Sequence, residues 1–255
     1  MALRSVFDGI YGKGHWTAPH RQNETSNGGS GPGSTIAFTA DLRALLSDLI
    51  LELNVSSMLD IPCGGMVWQE VLLRQLGLAK RSLHYQGVDI VPSLIARHRH
   101  RYADWTNVSF DVLDMTNSSV PRGHDLLFSR DALQHLRLEQ AVATLRHWAS
   151  SDAKWLLVGS YPDARTNKQL SLRAQAVGKS FDIDLRKRPF CLEPTHDYLE
   201  TRKLSTPTDR HQKHLYLYEM RHLRSRVEFT RMMREAMEFQ LHRGSQLCGA
   251  SPRRG

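Results

Sequence analysis

Ser57-Met58-Leu59-Asp60-Ile61-Pro62-Cys63-Gly64-Gly65 is the stretch on which the fold turns. A short apolar run ends in an acid and a pair of glycines, and helical spacing follows from about Trp68 to Leu78. An apolar run this short, closed by turn residues, reads as a buried strand. Small residues at its end let the chain turn sharply into a helix and let a ligand approach the backbone.

The same unit repeats downstream. Leu83 to Ile90 reads as a strand, and Pro92 opens a helix to about Asp104. Val108 to Leu113 is a third strand, ending at Asp114. Asp125 to Ser129 is a fourth, followed by a helix with Leu138, Ala141, Val142, Leu145 and Trp148 on one face. Trp155 to Gly159 is a fifth. Strands alternating with helices predict an α/β fold, a mostly parallel seven-stranded sheet of Rossmann-like type covered on both faces. The rhythm is lost over 162–212, apart from a short strand near Tyr198, and Lys213 to Met220 alternates as a late strand. Upstream, Thr39 is expected to cap a helix with apolar residues at 42, 45, 46, 49, 50 and 53.

In open parallel sheets, ligands bind beyond the carboxyl ends of the strands. The first strand ends at Asp60, the second at Gly87-Val88-Asp89, the third at Asp114 and the fourth at Ser129-Arg130-Asp131. An acid at the second tip is placed to accept both hydroxyls of an adenosine ribose. Asp114 is placed to accept from an adenine amino group. Each residue also has an ordinary explanation as a turn or helix cap, and it is their common register that points to one site.

Composition sets the bounds. The chain has 255 residues, 40% hydrophobic and 24% charged, with net charge +8. No apolar run reaches the roughly 18 residues of a membrane span. We therefore expect a soluble, cytoplasmic protein with no membrane partner. Cys63, Cys191 and Cys248 are odd in number and widely spaced, which predicts free thiols and no metal site. Basic residues gather between Arg165 and Arg188 and again towards the C-terminus. Such surfaces attract acidic small molecules or nucleic acid, although most are simply solvated.

Four segments, LDIPCGGMVW (59–68), YQGVDIVPSLI (85–95), FDVLDMT (110–116) and HDLLFSRDALQHL (124–136), resemble successive motifs of class I S-adenosylmethionine-dependent methyltransferases. More narrowly, the chain is similar to a bacterial-type group whose first motif reads Asp-x-Pro-Cys-Gly-Asp and whose fourth reads Ser-Arg-Asp-x-x-x-His-Leu. That group carries an N-terminal Trp and a Ser-Gly-x-Gly-Ser turn, matched by Trp16 and Ser30 to Ser34. Its late loop resembles DLRKRPFCL (184–192), and the likeness extends over roughly residues 7–220.

The resemblance implies S-adenosyl-L-methionine as cofactor. Asp60, Pro62, Cys63 and Gly64 would line its methionine part, Asp89 and Ile90 its ribose, and Asp114 with Met115 its adenine. Ser129 would stand at the fourth strand's end. Trp16, Gly31, Gly33 and Ser34 would close over it. Residues 1–38 are thus expected to be a lid, 39–220 the methyltransferase domain with 162–212 on the acceptor side, 221–243 an amphipathic helix and 244–255 a disordered tail. Arg130, Asp131 and His135 are the catalytic candidates. His135 lies four residues after Asp131 and shares its face if a helix begins there, and imidazole suits general-base work. Arg186, Arg188 and Phe190 are the acceptor-binding candidates.

The motif departs from the group at Gly65, where an acid is usual, and at Met66, where the generic motif has a third glycine. Three functions remain open on the sequence: methylation of an O or N on a polar or acidic small molecule or glycan, methylation of RNA, and cofactor binding without transfer. A nicotinamide oxidoreductase lacks its complete Gly-x-Gly-x-x-Gly.

Overall fold

The computed structural model describes residues 3–14, 16, 28–78, 83–162, 167, 182–200 and 212–226. Seven strands form one sheet: β1 (Ser57–Asp60), β2 (His84–Asp89), β3 (Val108–Val112), β4 (Leu126–Ser129), β5 (Trp155–Ser160), β6 (His196–Leu199) and β7 (His214–Glu219). Their order is β3-β2-β1-β4-β5-β7-β6. The pairs from β3 to β5 are parallel, whereas β7 runs antiparallel to both β5 and β6. The chain winds outward from β1 to β3, then returns to place β4 on the other side of β1. That reversal opens a crevice at the strands' carboxyl ends.

Strand alternation divides the core in two. On β5, Leu156 and Val158 join one apolar cluster and Leu157 the other. On β7, Tyr216 and Tyr218 face the first cluster, Leu215 and Leu217 the second. This period of two is what a sheet buried on both faces demands. The first cluster is closed by α5 (Leu138–Ala149), through Leu138, Ala141, Val142, Leu145 and Trp148. The second is closed by α2 (Ala40–Glu52) and α3 (Val67–Leu78), through Leu42, Leu46, Leu72 and Leu76. Helix α4 (Pro92–Arg101) begins at its proline and packs Ile95 into the second cluster.

Several expectations change. A helix the sequence reading missed, α1 (Leu3–Lys13), lies within the leader. Thr39 stands at the N-cap of α2 but its hydroxyl makes no capping bond; it donates back to the Thr35 carbonyl at 2.8 Å. No α-helix starts at Asp131. That residue takes a left-handed backbone (φ 54°), a short 3-10 turn follows at Leu133–His135, and α5 begins only at Leu138. Cys63 is a free buried thiol, but Cys191 is disulfide-bonded, contrary to the expectation of free thiols. The last helix, α6 (Met220–Arg226), starts straight off β7. The remainder of the expected C-terminal helix and the tail lie outside the described residues.

Candidate cofactor and acceptor cleft

A cavity of about 730 Å³ opens at the carboxyl ends of β1, β2 and β4. Every cofactor-side residue named from the sequence lines it except Ser129: Trp16, Gly31, Gly33, Ser34, Asp60, Pro62, Cys63, Gly64, Asp89, Ile90, Asp114 and Met115. Ser129 is buried beneath, and its hydroxyl has no hydrogen-bond partner among the described residues. Arg130, Asp131 and His135 also line the cavity. Arg186, Arg188 and Phe190 do not.

The β1 side is built around one glycine turn. Gly64 adopts φ 55°, and its N–H donates to Asp89 Oδ2 at 3.2 Å. Its carbonyl is held by His98 Nε2 at 2.7 Å, so α4 and β2 grip opposite ends of this residue. Burial pushes the His98 imidazole below its ordinary pKa. Asp89 Oδ1 accepts from the Val91 N–H at 3.0 Å. Burial outweighs these bonds and lifts the Asp89 carboxyl to about 6. Asp60 accepts from Tyr85 at 2.7 Å and Gln69 at 3.0 Å, and burial raises it to about 7. Both acids are almost fully enclosed, and among the described residues neither has a cationic hydrogen-bond partner. Asp114 has turned to its own loop, accepting from the N–H and hydroxyl of Thr116.

The leader is seated on this turn. Gly28 (φ 57°) and Gly65 meet backbone to backbone: a Cβ on Gly65 would lie 2.6 Å from the Gly28 Cα, and one on Gly28 2.7 Å from the Gly65 Cα. Neither position admits a side chain while the two remain in contact. The Gly65 N–H donates to Ser30 Oγ at 2.8 Å, and Ser30 Oγ shares a 3.0 Å hydrogen bond with the Tyr11 hydroxyl. Trp16 then stands edge-on to Phe7 and Tyr11 and 5.1 Å from the His135 ring, spanning the cavity from α1 to the segment after β4. Tyr11 and Trp16 stand out in the sequence as the two aromatic anchors of the leader, whereas no sequence signal located Phe7, because α1 was read as part of that leader.

Beyond β4 the site has a different character. Arg130, with 4% of its side chain exposed, donates to Glu200 at 2.6 Å and to the Gly33 carbonyl at 2.9 Å, and pairs with Asp131 at 3.1 Å. Asp131 also accepts from Lys213, from Gln134 at 2.8 Å and from Tyr161 at 3.2 Å. Burial opposes its ionisation, but the Lys213 ammonium and Arg130 guanidinium prevail and hold the carboxyl far below the usual range. Asp131 and His135 therefore do not share a helical face: the acid turns to Lys213, the imidazole to Trp16.

Tyr161, Lys213 and Glu200 were missed by sequence reasoning. Tyr161 follows the end of β5, where the strand-end rule finds it. Lys213 precedes β7, and an antiparallel strand begins where its parallel neighbours end, so only the sheet's direction reveals it.

The basic segment after β5 is turned away from the cavity. Arg186 pairs with Asp184 and Asp197 and lies 5.1 Å over the Tyr216 ring. Lys187 reaches the Pro162 carbonyl and Asp184. Phe190 is 1% exposed, a core residue of the first cluster and not a cavity wall. Asp184, fully buried beneath these cations, draws them down onto the sheet edge. Residues 163–166 and 168–181 of this region lie outside those described.

The order 3-2-1-4-5-7-6 with a reversed seventh strand, and a ligand-sized cavity at the carboxyl edge, describe a Rossmann-like α/β fold with its cleft where such sheets bind ligands. No family model and no curated protein matches the chain. Solved structures do. The N-methyltransferase NodS from Bradyrhizobium japonicum WM9, in complex with S-adenosyl-L-homocysteine, is 17% identical, with 83% of this chain and 98% of that one covered and a TM-score of 0.51. Magnesium protoporphyrin IX methyltransferase ChlM from Synechocystis PCC 6803, with bound S-adenosylmethionine, is 11% identical, with 85% and 96% covered and a TM-score of 0.51. At these identities the likeness establishes the fold, and function must be argued from the site.

Proposed function

We propose that the chain is an S-adenosyl-L-methionine-dependent methyltransferase acting on an oxygen or nitrogen of a polar small molecule or glycan. The observation that carries this reading is Asp89. Its carboxylate ends β2 inside the cavity, beside the glycine turn, with a pKa raised by burial despite its backbone hydrogen bonds. A ligand that donates two hydroxyls there would relieve that cost. The cavity is large enough for a nucleoside, Asp60 and Gly64 border it next to Asp89, and Trp16 and α1 would exclude water from it.

The cofactor supplies an electrophilic methyl group on a sulfonium, so the chain has mainly to orient an acceptor against it. In this proposal Arg130 and Asp131 are positioning residues. Asp131, held ionised by Lys213 and Arg130, is a poor base, and His135 is left as the general-base candidate. Arg186, Arg188 and Phe190 no longer serve as acceptor contacts in this reading; Tyr161, Gln134 and Lys213, which line the cavity, take their place. The division into leader, catalytic domain and acceptor-side segment, and a cytoplasmic location, belong to the same proposal. Among the described residues no helix is long and apolar enough to cross a membrane.

A second reading, cofactor binding without transfer, draws on the saturation of Asp131. Calorimetric titration with S-adenosylhomocysteine, followed by a labelled methyl-transfer screen over metabolite, glycan and RNA fractions, separates the two. Asp89→Ala should weaken S-adenosylhomocysteine by about 1.5–3 kcal/mol per lost hydroxyl contact. Unchanged affinity in a folded variant refutes the ribose assignment. Transfer confined to the RNA fraction would replace the small-molecule acceptor with RNA.

A further inference from the structure

Gly64 permits its left-handed backbone, but a residue without a Cβ does nothing to keep it there. Whatever holds the turn must come from outside it. On one side the Gly64 N–H is tied to Asp89. On the other, His98 of α4 sets Nε2 2.7 Å from the Gly64 carbonyl oxygen. A carbonyl only accepts, so Nε2 carries the proton and donates. His98 is buried and does not itself line the cavity. Its ring is braced by Phe110 at 5.2 Å and Tyr102 at 6.2 Å. Phe110 in turn needs the bare backbone of Gly87, where a Cβ would lie 2.9 Å from its ring.

The peptide from Gly64 to Gly65 is trans and planar, so its C=O and N–H point in opposite directions. With the carbonyl fixed on α4, the Gly65 N–H must face away from that helix, and it donates to Ser30 Oγ at the cavity wall. We infer that His98 is a positioning residue of the cleft: its Nε2–H fixes the Gly64 carbonyl and thereby sets the glycine turn against Asp89 before any ligand arrives. The inference rests on the cofactor reading above. A turn already set costs the ligand no ordering, whereas a glycine pair freed at one end must be ordered at the expense of affinity. Gly87 has its reason in the same line of contacts: it admits the ring that braces the imidazole.

The test compares His98→Leu, which removes the donor, with His98→Gln, whose amide can donate at the same reach. His98→Met, also without a donor, replaces the leucine variant if that one does not fold. Two readouts are taken on the full chain: amide hydrogen exchange at Gly65 without ligand, and calorimetric affinity for S-adenosylhomocysteine at a temperature where each variant is folded. Loss of the donor should speed exchange at Gly65 and weaken S-adenosylhomocysteine, each by about tenfold. His98→Gln should stay within about threefold of wild type in both. Unchanged exchange and affinity in the donor-free variant overturn the assignment. So does an equal loss in His98→Gln, which would show that the packed ring, and not its proton, supports the turn. A wild-type chain that binds no S-adenosylhomocysteine refutes the cofactor reading instead, and the exchange comparison then decides by itself whether His98 sets the turn.

Discussion

The two halves of the cleft treat charge in opposite ways. Under β1 and β2, Asp60 and Asp89 are buried acids held by neutral donors, and burial raises both. Beyond β4 and β5, Arg130, Asp131, Glu200 and Lys213 neutralise one another within a few ångströms. In the proposed reading the first half is built of acceptors whose partner is the cofactor. The second is paired by its own opposite charges, although Arg130 Nε and Glu200 Oε2 are buried without a hydrogen-bond partner among the described residues, and Arg130 also holds Gly33 of the leader. The difference teaches that ionisable residues at a cleft are not equal candidates: a group neutralised by opposite charges holds geometry, and a buried acid with only neutral donors is the better candidate to meet a ligand.

The most severe way to break the contrast is to open the closed half. Glu200→Ala leaves the Arg130 guanidinium buried beside one remaining acid, and should cost about 3–5 kcal/mol of folding stability, read as a shift in urea midpoint. A variant as stable as wild type would mean that the network is not what holds this side together.

Phe190→Ala tests the boundary of that half. As a packed core ring it should also cost about 3–5 kcal/mol, with S-adenosylhomocysteine affinity retained at a temperature where the variant is folded. Loss of turnover at unchanged stability would return Phe190 to the acceptor pocket.

The open half should respond to pH. Asp60 and Asp89 have folded pKa values raised above the unfolded one, so the folded state holds the extra protons. Their stabilising contribution is full below about pH 4 and is lost as pH rises through about 6 for Asp89 and about 7 for Asp60. Ligand-free Asp60→Asn should therefore show a flatter stability profile between pH 4 and 7. Binding should run the other way: with the Asp89 carboxylate on the ribose as proposed, S-adenosylhomocysteine affinity should fall as pH drops below about 6. An affinity indifferent to pH would remove Asp89 from the ribose.

The smallest effect is expected from the basic segment. Arg186 is a partly exposed cation at the sheet edge, and Arg186→Ala should change stability by no more than about 1 kcal/mol and leave ligand affinity unchanged. A large drop in affinity would show that the segment reaches the cavity after all.

The sequence by itself determined the sheet and its cofactor-side edge. Strand, turn and helix in β1 to β4 are each encoded within about thirty residues, and alternation or helical spacing marks the buried face locally. Asp60, Gly64, Asp89 and Asp114 are therefore legible at the strand ends from the sequence alone. Composition likewise marks 28–34 as a glycine-rich leader, which the resemblance turns into an ordered cofactor-closing segment. It did not show what that turn touches: Gly28 meets Gly65 across thirty-seven positions, and only the fold makes that contact. The acceptor side was decided by tertiary structure throughout. Lys213 reaches Asp131 because β7 runs backwards, Glu200 meets Arg130 across seventy residues, and Asp184 pulls Arg186 and Lys187 away from the cleft. Local propensity is silent on such pairings, since charge in a sequence has a sign but no direction until the chain folds and chooses its partner.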